Sequence, residues 1–230
     1  MKVVILAGGK GTRISEYTKF IPKPMIKIKK YPLIFHIMKI YAKQGFKDFI
    51  IATGYKSEII EKFFKKKIDD WSIKIVPTGL DTMTGGRIKR LKKYLNNERF
   101  FLTYGDGISN LNIKKLLNFH IKNKSTVTLT AVRPPARFGE LIIIKDKVKS
   151  FKEKPQVSSG WINGGFFIAN YSFLNFIRSD KEILEKWPLE KMTKINQLVA
   201  YKHKKFWKCM DVKRDRDELN NIYKKNKFNF

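Results

Sequence analysis

Apolar runs of strand length alternate with amphipathic stretches through the first 125 residues. The first run, Val3-Val4-Ile5-Leu6-Ala7, reads as a buried strand that stops where the glycines begin. Pro32 stands at a favoured first-turn position for a helix. Leu33, Ile34, Ile37, Met38 and Tyr41 then mark one helical face, and Gly45 ends it. The pattern predicts a second strand over 49–52, a helix over 58–64 and a third strand over 73–76. A helix over 87–95, a fourth strand over 100–104 and a helix over 113–121 follow.

Past residue 125 the pattern changes. Residues 126–132 read as a strand, and 141–144 with 148–151 predict a hairpin across Lys145-Asp146-Lys147. Another strand is expected at 166–169, with helices near 171–177 and 188–195. Residues 198–201 are expected to face Phe206-Trp207 across a lysine-rich turn, and a terminal helix to span 214–225. The β-α-β-α order predicts an α/β fold: a Rossmann-like, mostly parallel (mixed) sheet flanked by helices. A small mixed α+β annex is expected from about residue 133 onward. No linker, low-complexity stretch or internal repeat divides the chain, so 1–230 is read as one domain.

Composition narrows the class. A chain of 230 residues, 43% hydrophobic and 13% aromatic, is long and apolar enough for a folded globular domain. Cys209 is the single cysteine, which excludes an internal disulfide and fits a reducing compartment; the expected location is cytoplasmic. The apolar part of Met1–Ala7 is too short for a signal peptide, and no stretch reaches the roughly 18 apolar residues of a membrane span. No membrane partner is expected. The net charge of +29 ordinarily points to nucleic acid. Only nine of the 49 basic residues are arginine, however, and the lysines are scattered along the whole length. That pattern reads as a diffuse surface rather than a specific nucleic-acid site, and its field draws in anionic substrates.

The candidate chemistry begins at Gly8-Gly9-Lys10-Gly11-Thr12-Arg13, with Lys23 held in Pro22-Lys23-Pro24-Met25. Glycines let the backbone approach a ligand closely, so that N–H groups can surround phosphate oxygens. The prolines fix φ on both sides of Lys23. A strand, a glycine turn and two cations point to a nucleoside triphosphate. The G-x-G-x-x-G fingerprint lacks its third glycine, and Ile14–Pro24 carries no clear helical pattern; G-x-x-x-x-G-K-[ST] is absent. Asp106, between Gly105 and Gly107, and Asp211 are expected at the carboxyl ends of strands, where α/β sheets gather ligands. Such a pair suits Mg2+ bound across phosphates. Each also has a plainer reading: a turn aspartate for Asp106, a helix N-cap for Asp211.

The run Leu6 to Met25 resembles the signature of the sugar-1-phosphate nucleotidyltransferases, also called sugar-nucleotide pyrophosphorylases. Further matching stretches are Asp81-Thr82-Met83-Thr84-Gly85-Gly86-Arg87, Thr103-Tyr104-Gly105-Asp106-Gly107 and Glu153-Lys154-Pro155. Gly160-Trp161-Ile162-Asn163-Gly164-Gly165-Phe166-Phe167 and Phe206-Trp207-Lys208-Cys209-Met210-Asp211 complete the set, in the family's order and over nearly the whole chain. Together they resemble the family's glucose-1-phosphate cytidylyltransferase branch. The resemblance implies that CTP and α-D-glucose 1-phosphate give CDP-glucose and pyrophosphate, an early step toward deoxysugars of surface polysaccharide. It implies nucleotide contacts from Leu6, Ala7, Gly8, Gly9, Gly11, Thr12, Arg13, Lys23, Thr82, Arg87 and Asp106. Arg13 would face the departing phosphate oxygens and Lys23 the reacting centre, as the catalytic cations. Asp106 and Asp211 would hold Mg2+. Thr82 and Arg87 would meet the cytosine, with Gly85-Gly86 permitting close approach. Glu153, Lys154, Trp161, Asn163 and Gly164 would bind the sugar phosphate, with Trp161 either a sugar platform or a core residue. The nucleotide part would span about 1–132, the sugar-phosphate annex about 133–230, and copies of the chain would form a homo-oligomer.

Two features depart from the family pattern. Asp69-Asp70-Trp71-Ser72 is short where many relatives have a longer excursion, and Lys10 stands where an apolar residue is expected. Neither Cys209 nor His36, His120 or His203 sits beside an evident catalytic partner in sequence. The same chemistry with another nucleotide or sugar phosphate, and a non-catalytic basic nucleic-acid module, are the alternative readings.

Overall fold

The computed structural model describes residues 1–66, 68, 70–134, 140–144, 146–152 and 160–224. Strand β1 (Val3–Ala7) is buried at all five positions. Its side chains alternate between two cores: Val3, Ile5 and Ala7 enter one, Val4 and Leu6 the other. An unbroken apolar run is therefore the right composition for a strand covered on both faces.

The chain continues through α1 (Ser15–Thr18), the ribbon β2 (Lys27–Ile28) and β3 (Tyr31–Pro32), and α2 (Leu33–Ala42). Then come β4 (Asp48–Thr53), α3 (Ser57–Phe64), β5 (Ser72–Pro77), α4 (Thr84–Arg90), β6 (Phe100–Tyr104), β7 (Gly107–Ser109), α5 (Ile113–Asn123) and β8 (Val127–Val132). The second half supplies β9 (Glu140–Ile144), β10 (Lys147–Lys152), β11 (Ile162–Ala169), α6 (Trp187–Lys194), β12 (Leu198–His203), β13 (Trp207–Cys209) and α7 (Lys213–Lys224). Seven strands form one sheet in the order β12-β8-β11-β6-β1-β4-β5. Only β11 runs against its neighbours; the other pairings are parallel. Helix α2 packs into the core that holds Ile5, Phe101 and Phe166. Ile88 of α4 and Met192 of α6 pack into the other, against Val4, Leu102 and Phe167. The sheet thus has helices on both faces, and it draws strands from both sides of residue 132.

Most expected elements appear with ends displaced by one or two residues. The strand expected at 166–169 starts four residues earlier, at Ile162, and the helix near 171–177 is the 3-10 helix Tyr171–Phe176. Three further expectations differ more. Residues 14–24, which carry no helical periodicity, contain the single turn α1 and a 3-10 turn at Lys23–Met25, both too short to show a period. The helix expected at 87–95 starts at Thr84 and stops at Arg90, so Gly85 and Gly86 lie inside it. Glycine is a poor helix former, and the reason for it here is tertiary. Met83 N and Gly85 N donate to Asp180 O and Glu182 O at 2.8 and 2.9 Å. A Cβ on Gly86 would lie 2.3 Å from Asp180 O. Those glycines let the 180–182 backbone dock, the neighbour that comes closest. Gly86→Ala is expected to destabilise the chain by about 1–3 kcal/mol in urea unfolding. Gly9→Ala, whose Cβ would meet nothing within 4 Å, serves as the near-neutral control.

The third difference concerns residues 198–209. They do not form a hairpin. Strand β12 lies parallel to β8 at the sheet edge, from Leu198 opposite Val127 to His203 opposite Val132. Strand β13 crosses instead to pair antiparallel with β7, Cys209 opposite Gly107. Trp207 Nε1 donates to Gly164 O at 2.7 Å, and Ser109 Oγ donates to Phe206 O at 2.8 Å. These long-range bonds outweigh the local lysine-rich turn and bring Asp106, two residues past β6, beside Asp211, two residues past β13. The hairpin expected at 141–151 is β9–β10, with a register shift between Val148 and Ser150. Lys145 of its turn, Asp69, and residue 225 of the expected terminal helix lie outside the described residues.

Candidate active site

The carboxyl ends of β1 and β6 open onto a cleft of about 300 Å³. Leu6, Ala7, Gly8, Gly9, Gly11, Arg13, Lys23, Thr82, Arg87 and Asp106 line it. Thr12 does not; it begins the 3-10 turn Thr12–Ile14. Pro24, already noted beside Lys23, lines the cleft too, and so do Met83, Thr84, Tyr104 and Gly105, which were not singled out in sequence. Met83, Thr84, Tyr104 and Gly105 lie inside the quoted motifs, which was the available signal. Gly11 takes φ +65°, a left-handed conformation, and its missing Cβ leaves room for Thr18 and the Lys23 stem. Thr18 Oγ1 donates to Gly11 O at 3.1 Å and ties the loop down.

Lys23 is 8% exposed and is the charge centre of the cleft. Its Nζ donates to Asp106 Oδ2 at 2.7 Å and to Asp211 Oδ1 at 2.8 Å. Arg13 Nη1 reaches Asp211 Oδ2 at 2.8 Å. Burial works against the ammonium, but the charge and hydrogen bonds of Asp106 and Asp211 prevail and raise the Lys23 pKa. Burial likewise opposes the Asp211 carboxylate, and Lys23 with Arg13 prevails there, holding it below the usual range. Asp211 is not the cap of α7. Asp215 Oδ2 accepts the N–H groups of Asp211 and Val212 at 2.9 and 3.0 Å, which leaves the Asp211 carboxylate to pair with Lys23 and Arg13; Asp211 itself does not line the cleft.

The ligand atoms of Asp106, Asp211 and Cys209 lie within 4.8 Å of one another, a group able to hold a metal ion. Two carboxylates, whose charge the one lysine they share offsets only by half, fit a divalent cation by charge and by donor type. Burial, and the carboxylate of Asp106 after it, push the Cys209 thiol well above its ordinary pKa. Cys209 is therefore a neutral thiol and no nucleophile at neutral pH.

Arg87 lines the cleft with Thr82, and its guanidinium is already engaged by protein groups. The residue is 4% exposed, and the guanidinium is taken up by four backbone carbonyls and the Thr78 hydroxyl. Nη1 donates to Thr53 O, Thr78 Oγ1 and Gly79 O at 3.0, 2.7 and 2.8 Å; Nη2 donates to Gly8 O and Leu80 O at 3.0 and 3.4 Å. One planar fork thus joins the glycine loop, the end of β4 and the loop after β5. A Cβ on Gly8 would fall 2.2 Å from Arg87 Nη1, so the glycine admits the fork. Lysine cannot reproduce this geometry. Arg87→Lys is expected to lower kcat/KM for the nucleotide by about tenfold or more, with a lower melting temperature, because buried carbonyls lose partners. Steady-state kinetics beside calorimetry checks it.

On the sugar side, Glu153 and Lys154 lie outside the described residues. Asn163 Oδ1 accepts Gly165 N at 2.9 Å, and Asn163 Nδ2 donates to the Tyr104 hydroxyl at 3.4 Å. Gly164 packs against Val132 and accepts the Trp207 indole. Trp161 is half-buried, with the Arg133 guanidinium 4.7 Å above its ring and Lys202 Nζ at 5.9 Å. It does not line the cleft. The histidines are all buried and bonded away from it: His36 to Ile28 O and the Tyr223 hydroxyl, His120 to Thr128 and Asn170, His203 to Ser109 and Phe206.

The model of the nucleotidyl transferase family matches residues 2–217. The chain belongs to that family. Among the relatives of this nucleotidyl transferase, glucose-1-phosphate cytidylyltransferase of Salmonella typhimurium is 41% identical over 99% of the chain and 97% of its own length. Probable glucose-1-phosphate cytidylyltransferase of Bacillus subtilis is 36% identical, covering 97% and 96%. HddC from Yersinia pseudotuberculosis, solved as a complex with GMP-PN, is 28% identical with a TM-score of 0.77, covering 96% of this chain and 99% of its own. No helix of the described residues is long and apolar enough to cross a membrane.

Proposed function

We propose that this nucleotidyl transferase moves a cytidylyl group from CTP to α-D-glucose 1-phosphate, giving CDP-glucose and pyrophosphate. A phosphate oxygen of the sugar attacks the α-phosphorus, the new P–O bond forms, and the bond to the β-phosphate oxygen breaks. The observation that carries this reading is Lys23 set between Asp106 and Asp211 at the glycine-loop cleft. The cytidylyltransferase relatives, alike over nearly the full chain, support the choice of nucleotide and sugar.

Such a transfer needs positioning and charge neutralisation rather than a nucleophile from the protein. Backbone N–H groups of Gly8, Gly9 and Gly11 hold phosphate oxygens. Arg13, whose side chain is 68% exposed, swings to the departing pyrophosphate. Lys23 exchanges its carboxylate partners for phosphate near the reacting phosphorus. Asp106 and Asp211 hold Mg2+, which when bound neutralises phosphate charge and polarises the reacting bonds. Asn163 and Trp161, with Glu153 and Lys154, bind the sugar phosphate. Self-assembly into a homo-oligomer and a cytoplasmic location belong to the same proposal.

Pyrophosphate release with CTP and a panel of sugar 1-phosphates tests it. Glucose 1-phosphate is expected to give the highest kcat/KM, and EDTA to abolish the reaction. A mannose 1-phosphate preference overturns the sugar; EDTA-resistant turnover overturns the metal.

A further inference from the structure

Cys209 is the third donor at a centre whose proposed catalytic ion needs only two. The inference rests on the reading that Asp106 and Asp211 hold a divalent cation. It concerns a residue that magnesium does not require. Cys209 and Asp211 lie two residues apart at the end of β13, and Met210 between them is turned into the core, fully buried. Met210 N donates to Asp106 O at 2.9 Å, which draws Asp106 alongside both. Opposite Cys209 stands Gly107, and a Cβ there would find its nearest neighbour at 3.8 Å. That is ordinary contact distance, and the thiol, hydrogen-bonded to the Asp211 carboxylate, lies against the two acids.

The result is one sulfur and two carboxylates whose ligand atoms lie within 4.8 Å of one another. A cation already marks the point within reach of both carboxylates: Lys23 Nζ, at 2.7 and 2.8 Å. We propose that Asp106, Asp211 and Cys209 form a binding site for a soft divalent cation, of the Zn2+ and Cd2+ class, that competes with the magnesium of catalysis.

Magnesium is hard, takes oxygen ligands, and keeps open positions for water and phosphate. Soft ions prefer thiolate, and geometry and ligand type rather than raw affinity decide which metal a site holds. On binding, the soft ion replaces the thiol proton, which passes to solvent, and displaces the Lys23 ammonium from the carboxylates. With three protein donors bound, such an ion has fewer positions left for triphosphate oxygens than magnesium does. It is an inhibitor of the transfer, not a substitute cofactor.

The single cysteine makes the test specific, since any thiolate–metal signal comes from Cys209. Cd2+ is titrated into the full-length, untagged, metal-free chain while ultraviolet difference absorption is recorded. A thiolate-to-metal charge-transfer band saturating at one ion per chain is expected. Cys209→Ser is expected to lose the band and to bind Cd2+ at least about tenfold more weakly, tenfold being what loss of even an outer-shell partner costs. X-ray absorption of the Cd2+-loaded native chain, which needs no variant, is expected to show one sulfur neighbour. Tight Cd2+ binding with no band and only oxygen and nitrogen neighbours overturns the proposal, as does a band that survives Cys209→Ser. These readouts involve no turnover, so a chain that shows the band yet releases no pyrophosphate with Mg2+ sinks the functional reading and leaves the soft-metal site standing.

Discussion

Asp106→Asn is expected to lower kcat by about a thousandfold, the upper range for loss of one electrostatic group at a transition state, while the chain stays folded. The substitution preserves shape and removes one charge. Asp106 shares Lys23 with Asp211, and the Lys23–Asp211 bond at 2.8 Å survives the change. The fold therefore keeps its paired lysine and the melting temperature moves little. The cleft loses one of the two carboxylates that suit a divalent cation, so half-saturation with Mg2+ is expected to rise as well. Pyrophosphate release across a Mg2+ titration reads both effects. Unchanged kcat with unchanged half-saturation would mean that Asp106 is only a turn residue between Gly105 and Gly107.

The second large effect is expected at Lys23, and it couples stability to metal. Lys23→Met removes the cation that two carboxylates share. Breaking a fully buried pair costs about 3–5 kcal/mol. Here the Asp106 and Asp211 side chains retain 25% and 16% exposure and Arg13 still serves Asp211, so about 2 kcal/mol is expected, below that range. Because Lys23 occupies the carboxylates that a divalent ion needs, its removal should favour the ion. Mg2+ is therefore expected to raise the melting temperature more in Lys23→Met than in the native chain. Turnover nevertheless falls by a factor of about 10² or more, because the phosphate loses its nearest ammonium. A variant as stable as the native chain without metal, or one that Mg2+ stabilises less, contradicts the shared-carboxylate arrangement.

The pH dependence follows with a definite sign. Asp211 has a depressed folded pKa, so its share of stability is present above the unfolded carboxylate value and is lost as pH falls through the folded one. Lys23 has a raised pKa, so its share is present below the unfolded lysine value and is lost as pH rises through the folded one. The stability gap between the native chain and Lys23→Met is thus expected to stay flat from about pH 5 to about pH 10, the interval between the two unfolded values with a margin at the acid end. It should close on either side.

Much of this was legible in the chain. The five-residue apolar run, the glycines after it and the bracketed Lys23 place the cleft, because buried parallel strands and phosphate loops leave strong local patterns. The α/β class followed from the alternation of elements. What escaped was long-range. Nothing local says that residues 207–209 pair with 107–109 rather than with β12, yet that crossing brings Asp211 beside Asp106. Nothing local says that the Arg87 fork is bonded to Gly8, Thr53 and Leu80 and so ties the glycine loop to two other segments. Asp215 as the carboxylate that clips the front of α7 was hidden by an equally plausible Asp211. Gly85 and Gly86 read as loop residues because their use, docking the 180–182 backbone, is tertiary.

The central claim is cytidylyl transfer at the Lys23–Asp106–Asp211 centre, and the most direct measurement is Mg2+-dependent pyrophosphate release. Glucose 1-phosphate is supplied with CTP, UTP, dTTP, ATP and GTP in turn. Release with CTP, at a kcat/KM well above that of the other four and dependent on Lys23, is the predicted result. Release with GTP or another nucleotide in preference to CTP contradicts the cytidine assignment, and silence with all five contradicts the reaction itself.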